Sequence, residues 1–167
     1  MSDSLLDDVL TPGRLSAVFQ PILEIGPWGT SLHAFECLTR GPAGTNLESP
    51  DVLFEYARRK HAEAAVDHAC VETALRASRS LPPESRLSLN VHASTLSRDH
   101  EFIVFIGDMV EVCGIGLDRL VIEVVEPHLS RGSGPWEGLG LQGRPCRASG
   151  SRSPARCRLR ASPPGRH

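Results

Sequence analysis

The chain has 167 residues, of which 40% are hydrophobic and 23% charged, and its formal net charge is −2. This composition fits one globular domain with a hydrophobic core and excludes a wholly disordered protein. No run approaches the roughly 18 consecutive apolar residues of a transmembrane helix. The acidic start, with Asp3, Asp7 and Asp8, does not fit a secretory signal, so we expect a cytoplasmic protein without a membrane partner.

The predicted secondary structure in chain order is a hairpin, two helices, a strand, a helix and a strand. After the hairpin this order follows β-α-β logic, which predicts a parallel sheet covered by helices. The second helix presents an apolar face that we assign to Ala65, Ala69, Val71 and Leu75. The predicted ranges are 15–25 and 31–39 for the hairpin strands, a helix from Ser49-Pro50-Asp51, a helix over 62–80, a strand over 86–91, a helix over 102–113 and a strand over 120–125.

The end of the chain differs sharply from the rest. Residues 1–129 hold 19 acidic and 10 basic residues, whereas residues 130–167 hold one acid and eight arginines, with seven Gly, six Ser and five Pro. Such a segment cannot bury enough apolar surface to offset its ordering entropy. We therefore divide the chain into an extension (1–14), a domain (15–129) and a disordered tail (130–167), which leaves the last strand of the domain with an unpaired edge.

Two origins of the tail stay open. A GC-rich gene read in a shifted frame would give this composition, and a basic tail that binds nucleic acid or anionic lipid is the alternative. The abrupt boundary and the single aromatic residue, Trp136, favour the shifted frame. Nucleic-acid binding by the tail is therefore not expected.

The five cysteines are scattered and form no C-x-x-C pair. We therefore expect thiols without a function rather than a zinc site or a disulfide framework.

Three predicted strands each contain a polar residue where an apolar one is expected: Glu36, Asn90 and Glu123. Burying a carboxylate is costly unless it is paired or binds a cation. Oxygen donors on neighbouring strands can converge on one Mg²⁺ or Mn²⁺ ion. The alternatives are that each glutamate faces solvent and that Asn90 makes a hydrogen bond at a strand end.

Five segments in chain order resemble the motifs of the EAL domain, a family of bacterial cyclic di-GMP phosphodiesterases. Cys37, His92 and Val125 stand where that family commonly has alanine, serine and threonine. The segments are Phe19-Gln20-Pro21-Ile22, Phe35-Glu36-Cys37-Leu38-Thr39-Arg40, Ser49-Pro50 with Phe54 and Ala57, Ser88-Leu89-Asn90-Val91-His92-Ala93, and Ile122-Glu123-Val124-Val125-Glu126.

The resemblance implies an α/β fold, namely the first half of a TIM-barrel-like (β/α)8 domain followed by the disordered tail. It implies that Glu36, Asn90 and Glu123 are ligands of a Mg²⁺ or Mn²⁺ ion. It also implies that Gln20, Leu38 and Arg40 line a site for cyclic di-GMP, where the guanidinium of Arg40 suits a phosphate. The implied reaction is metal-assisted hydrolysis of cyclic di-GMP to linear pGpG.

The resemblance also implies residues that this chain lacks. The family's next strand carries Asp-Asp-Phe-Gly, and later strands add a lysine, a glutamate and a glutamine, but the only lysine here is Lys60 and no aspartate follows Asp118. We therefore expect a truncated and inactive catalytic set. The alternatives are a degenerate module that binds cyclic di-GMP or a protein partner without hydrolysis, and a gene remnant. The protein partners left open are a second copy and another signalling protein.

Overall fold

The computed structural model describes residues 5–125 and, for its backbone alone, the strand Arg156–Arg160. Five strands form one sheet in the order β1-β2-β3-β4-β5. The strands are β1 (Ser16–Gly26), β2 (Gly29–Arg40), β3 (Leu87–His92), β4 (Leu120–Val125) and β5 (Arg156–Arg160). The helices are α1 (Leu5–Leu10), α2 (Pro50–Arg59), α3 (Glu63–Ala77), α4 (Ala93–Arg98) and α5 (Phe102–Cys113), with short 3₁₀ turns at Asn46–Glu48, Ser78–Ser80 and Leu117–Arg119.

The sheet combines an antiparallel hairpin with parallel crossovers. Strands β1 and β2 pair antiparallel, while β2, β3 and β4 run parallel to one another. The α2–α3 and α4–α5 segments supply the two connections between parallel strands, as a β-α-β arrangement requires. The predicted α/β class and the parallel half-barrel sheet are therefore confirmed.

The main core lies between the sheet and helices α3 and α5. Leu87, Leu89 and Val91 of β3 pack there with Phe102 of α5. Helix α5 ends at Gly114, whose φ of 68° is left-handed and suits glycine. A second cluster joins α1, α2 and α3 around Leu53 and Val66. No helix within residues 5–125 is long and apolar enough to cross a membrane.

The apolar face predicted for α3 is partly wrong. Ala65 is exposed, whereas Val66, Asp67 and Cys70 are buried beside Val71 and Leu75. The alanines of this helix give a weak pattern, so its phase could not be read from hydrophobicity. The cost of burying the carboxylate of Asp67 is offset by hydrogen bonds, which are described below.

The edge of β4 is not open, contrary to expectation. Strand β5 pairs antiparallel with β4, and its register sets Arg158 opposite Glu123. Within the tail this strand alone is described, so the prediction of disorder for the rest of residues 130–167 stays a prediction. Because β5 occupies the β4 edge, the unpaired edge of the described sheet is β1.

Candidate functional site

The polar residues singled out from the sequence share one face of the sheet. Side chains of a strand alternate between the two faces, and directly paired residues lie on the same face. Gln20 pairs with Glu36, Glu36 with Ser88, and Asn90 with Glu123. The helices cover the opposite face, which carries Leu87, Leu89 and Val91. We call the face with Glu36, Asn90 and Glu123 the site face.

Asn90 joins two strands of the site face. Its Nδ2 donates a hydrogen bond of 2.9 Å to Oε1 of Glu36. Its Oδ1 is buried and has no hydrogen-bond partner among the described residues. A buried oxygen without a donor costs free energy, so a partner beyond the described residues, such as a cation or a water molecule, would stabilise this atom.

The side chain of Glu123 is hydrogen-bonded to a residue of the neighbouring strand, β3. Its side chain is 2% exposed, and the hydroxyl of Ser88, also 2% exposed, donates to Oε1 at 2.6 Å. A short charge-assisted hydrogen bond of this kind fixes the orientation of a carboxylate. Ser88 thus orients Glu123, and sequence analysis did not identify this role because serine is unremarkable in a strand.

The residues implied for the nucleotide also lie on the site face, on β1 and near the end of β2. Gln20 is exposed, whereas Leu38 and Arg40 are half-buried. Arg40 Nη1 donates to the carbonyl of its neighbour Thr39 at 3.0 Å. Arg40 lies four positions after Glu36 along β2, which corresponds to about 13 Å. Arg40 can therefore contact a distant part of an extended ligand that also reaches Glu36.

A buried network at the end of β3 was missed from the sequence. Asp67 of α3 is 1% exposed. Its carboxylate accepts hydrogen bonds from the backbone N of His92 at 3.0 Å and from the ring Nδ1 of His92 at 2.9 Å. It also accepts one from Thr95 Oγ1 at 2.6 Å. The ring of His92 also contacts the ring of Phe54 edge-on, with 4.8 Å between the two ring centroids. This network fixes the strand end two residues beyond Asn90.

The same network shifts the pKa of His92. Burial alone would lower the pKa of His92, but the hydrogen bond to Asp67 and the charges of Asp67 and Glu63 raise the pKa above its ordinary value. The protonated imidazole is therefore favoured beside the buried carboxylate.

The described cysteines fit structural roles. Cys37 and Cys70 are buried, and Cys113 is half-buried. Burial, with the charge of Glu36 adding to it, raises the pKa of Cys37 to about 12. Burial likewise raises the pKa of Cys70 to about 12. Neither thiol ionises near neutral pH, so neither is a ready nucleophile.

The site face fits a divalent cation only in part. Glu36, Asn90 and Glu123 offer the oxygen ligands that Mg²⁺ and Mn²⁺ prefer, and the unpartnered Asn90 Oδ1 is one of them. Across residues 5–125, however, no three or more His, Cys, Asp or Glu side chains cluster in a way that could hold a metal ion. The described part of the chain therefore supplies a partial ligand set.

Comparison with known proteins identifies the family. The family described as EAL domain matches residues 3–135, which is most of the chain, so the chain belongs to the EAL domain family. The resemblance noted in the sequence is thereby confirmed, and with it the relation to cyclic di-GMP phosphodiesterases. No curated protein matches the chain.

Three solved structures illustrate the likeness. The EAL domain of FimX from Xanthomonas citri, in complex with c-diGMP, has a TM-score of 0.58 and 19% identity over 74% of this chain and 47% of its own. A calcium/cy-diGMP complex of Klebsiella pneumoniae BlrP1 has a TM-score of 0.56 and 20% identity, over 66% of this chain and 27% of that one. The manganese/cy-diGMP complex of BlrP1 has a TM-score of 0.53 and 20% identity, over 70% and 33%.

These likenesses are below 25% identity and show the fold. The chain spans less than half the length of each of the three structures. The roles of Glu36, Asn90, Glu123, Gln20, Leu38 and Arg40 stay predictions.

Proposed function

We propose that the site face contributes part of the centre of a metal-dependent cyclic di-GMP phosphodiesterase. Glu36, Asn90 and Glu123 would hold one Mg²⁺ or Mn²⁺ ion in this proposal. The observation that supports this site is the buried Oδ1 of Asn90, which lacks a partner among the described residues. The Nδ2 of the same amide is hydrogen-bonded to Glu36. A cation would satisfy this oxygen and would offset the desolvation of the neighbouring carboxylates.

The residues of the chain have separable roles in this proposal. A bound ion would lower the pKa of a coordinated water molecule and neutralise negative charge on a phosphate. Ser88 keeps Glu123 oriented through its 2.6 Å hydrogen bond. Asn90 keeps Glu36 oriented through its 2.9 Å hydrogen bond. Arg40 would pair with a phosphate of the dinucleotide, and Gln20 and Leu38 would contact its remainder.

The three side chains alone would not complete the coordination of a cation. Mg²⁺ requires about six oxygen ligands in octahedral geometry, so three side chains leave further positions to water, substrate phosphate or other protein segments. A cytoplasmic location is part of this proposal, because membership of the EAL domain family favours it.

A second candidate is a module that binds cyclic di-GMP without hydrolysing it. The lack of a third clustered acid within residues 5–125 favours it. Both candidates need Arg40 for the nucleotide, and they differ in whether the chain hydrolyses cyclic di-GMP once the missing ligands are supplied.

We expect the full chain to bind cyclic di-GMP in the presence of Mn²⁺ and the variant Arg40→Ala to bind at least about tenfold more weakly, because a guanidinium–phosphate pair is a strong charge-assisted contact. Isothermal titration calorimetry measures both affinities. Arg79→Ala removes an exposed arginine outside the site and is the matched control. Equal affinities for Arg40→Ala and the unaltered chain would contradict the proposed nucleotide site.

A further inference from the structure

A small cavity lies near the point where β2 and β3 begin to run parallel, away from Asn90. Its volume is about 240 Å³. Pockets for drug-sized ligands measure roughly 300–1,000 Å³, so this cavity suits a smaller molecule. His33 in its wall precedes Glu36 by three positions along β2, which corresponds to about 10 Å of strand. We call this space the β2–β3 cavity. Its lining consists of Leu32, His33, Pro82, Glu84, Ser85 and Arg86.

A β-bulge in β2 brings two successive side chains to this cavity. The β2 partners of Ile22 and Leu23 are Ala34 and Leu32, so His33 is an extra residue in β2. Successive side chains of a regular strand point to opposite faces, yet Leu32 and His33 both line the cavity. Bulges are common beside binding sites because they redirect a side chain in this way.

The backbone of the loop before β3 is fixed by hydrogen bonds. The backbone N of Ser85 donates to the carbonyl of Pro82 at 2.9 Å. Arg119 donates to the carbonyl of Ser85 from Nε at 2.8 Å and from Nη2 at 2.6 Å. The carbonyl of Arg86 accepts from the backbone N of Phe35 at 2.8 Å. A wall held in this way is pre-organised, which lowers the entropic cost of binding a ligand.

Three side chains of the lining are donors without a hydrogen-bond acceptor within residues 5–125. Ser85 is 6% exposed, and its buried Oγ has no partner there. Arg86 is half-buried, and its guanidinium makes no ion pair or hydrogen bond in that part of the chain. His33 Nδ1 lies 3.8 Å from Glu24 Oε2, which is too far for a hydrogen bond. Such a set of donors suits a carboxylate, to which a guanidinium can give two parallel hydrogen bonds.

The rest of the lining limits which carboxylate fits. Glu84 is an exposed acid, which repels a simple anion and attracts a cation. Leu32 and Pro82 add apolar surface. The described residues hold no group of His, Cys, Asp and Glu that could bind a metal ion, so the cation is expected to be organic. The lining is therefore complementary to a small molecule with a carboxylate, an ammonium group and a short apolar chain.

We propose that the β2–β3 cavity binds a free aliphatic α-amino acid. The carboxylate of the ligand pairs with Arg86 and accepts hydrogen bonds from His33 and Ser85. Its ammonium group pairs with Glu84, and its side chain packs on Leu32. This site is separate from the site face and does not depend on the proposed cation or on cyclic di-GMP.

The test titrates the full chain with L-leucine and with two analogues, and saturation-transfer NMR measures the affinities. One analogue, 4-methylpentanoate, lacks the ammonium group, and the other, 3-methylbutylamine, lacks the carboxylate. We expect L-leucine to bind and each analogue to bind at least about tenfold more weakly, because each loses one charged contact. This comparison uses the unaltered chain, so it does not depend on whether a variant folds.

Two variants assign the charged contacts. Arg86→Gln should weaken L-leucine binding by about tenfold or more. Glu84→Gln should weaken binding of L-leucine but not of 4-methylpentanoate, which has no ammonium group to pair with the acid. Arg98→Gln alters an exposed arginine of α4, beyond the other end of β3, and should leave L-leucine binding unchanged.

Ser85→Ala distinguishes a contact with the ligand from a structural role. The hydroxyl has no partner within residues 5–125, so its removal should not lower Tm. L-leucine binding should weaken by about three- to tenfold, which is the effect of one lost hydrogen bond.

Three outcomes would overturn the proposal. The first is that L-leucine does not bind at millimolar concentrations. The second is that 4-methylpentanoate or 3-methylbutylamine binds as tightly as L-leucine. The third is that Arg86→Gln binds L-leucine as the unaltered chain does, which would place the bound molecule outside the β2–β3 cavity.

Discussion

Replacing Asp67 with alanine should lower the free energy of unfolding by about 3 kcal/mol, because it breaks a buried ionic and hydrogen-bonded network. Asp67 is 1% exposed and accepts three hydrogen bonds that tie α3 to the end of β3 and to α4. Its removal leaves the backbone N of His92 and the hydroxyl of Thr95 buried without this acceptor. Urea unfolding followed by circular dichroism measures the change.

The loss should depend on pH in a definite direction. The pKa of His92 is raised in the folded chain, so its pairing with Asp67 contributes its full stability below the unfolded pKa of about 6.5. That contribution is lost as pH rises through the raised pKa of His92. The penalty of Asp67→Ala should therefore be larger at low pH than at high pH.

Glu84→Gln is the control, since it alters an exposed acid in the turn before β3. We expect this change to stay within about 0.5 kcal/mol. A similar small effect of Asp67→Ala would mean that the network does not stabilise the fold.

The second large effect concerns turnover: the 167-residue chain should show no hydrolysis of cyclic di-GMP with either Mg²⁺ or Mn²⁺. Glu36, Asn90 and Glu123 leave a cation under-coordinated, so water would not be activated. The only lysine, Lys60, follows α2 in the helical layer, where its Nζ lies 5.8 Å from the ring centroid of Tyr56. It is thus not on the site face.

Chromatographic detection of linear pGpG measures this turnover. Hydrolysis that disappears in Glu36→Ala would show that residues outside 5–125, or a second molecule, complete the site. If a shifted frame accounts for the tail, restoring the frame should give metal-dependent hydrolysis that Glu36→Ala abolishes.

Strongly patterned elements could be read from the sequence. The bounds of α5 and β4 match their predicted ranges, because a continuous helical or β-branched pattern ends at clear signals such as Gly114. The β1–β2 hairpin follows from the turn at Gly26-Pro27-Trp28-Gly29. The six-residue helices α1 and α4 were missed, since one or two turns carry little periodicity.

Strand β5 was missed for a different reason. Its sequence, Arg156-Cys157-Arg158-Leu159-Arg160, alternates as a strand does, but it lies in a segment whose overall composition predicts disorder. Five residues were too few to outweigh that composition.

The site could be predicted as a set of residue types but not as a geometry. Glu36, Asn90 and Glu123 stood out because each interrupts an apolar strand. Their placement on one face of the sheet depends on strand register, which the sequence alone does not fix. The Asp67–His92 contact joins residues 25 positions apart and leaves no local pattern.

The most direct test of the proposed cation site is Mn²⁺ binding to the full chain, measured by the electron paramagnetic resonance signal of free Mn²⁺. Asn90→Ala removes the buried Oδ1 and should weaken binding by at least about tenfold, while thermal unfolding checks that the variant folds. Asn46→Ala, at an exposed position in a 3₁₀ turn, should bind as the unaltered chain does. If Asn90→Ala or the double variant Glu36→Gln, Glu123→Gln bound Mn²⁺ as tightly as the unaltered chain, the site face would not be a cation site.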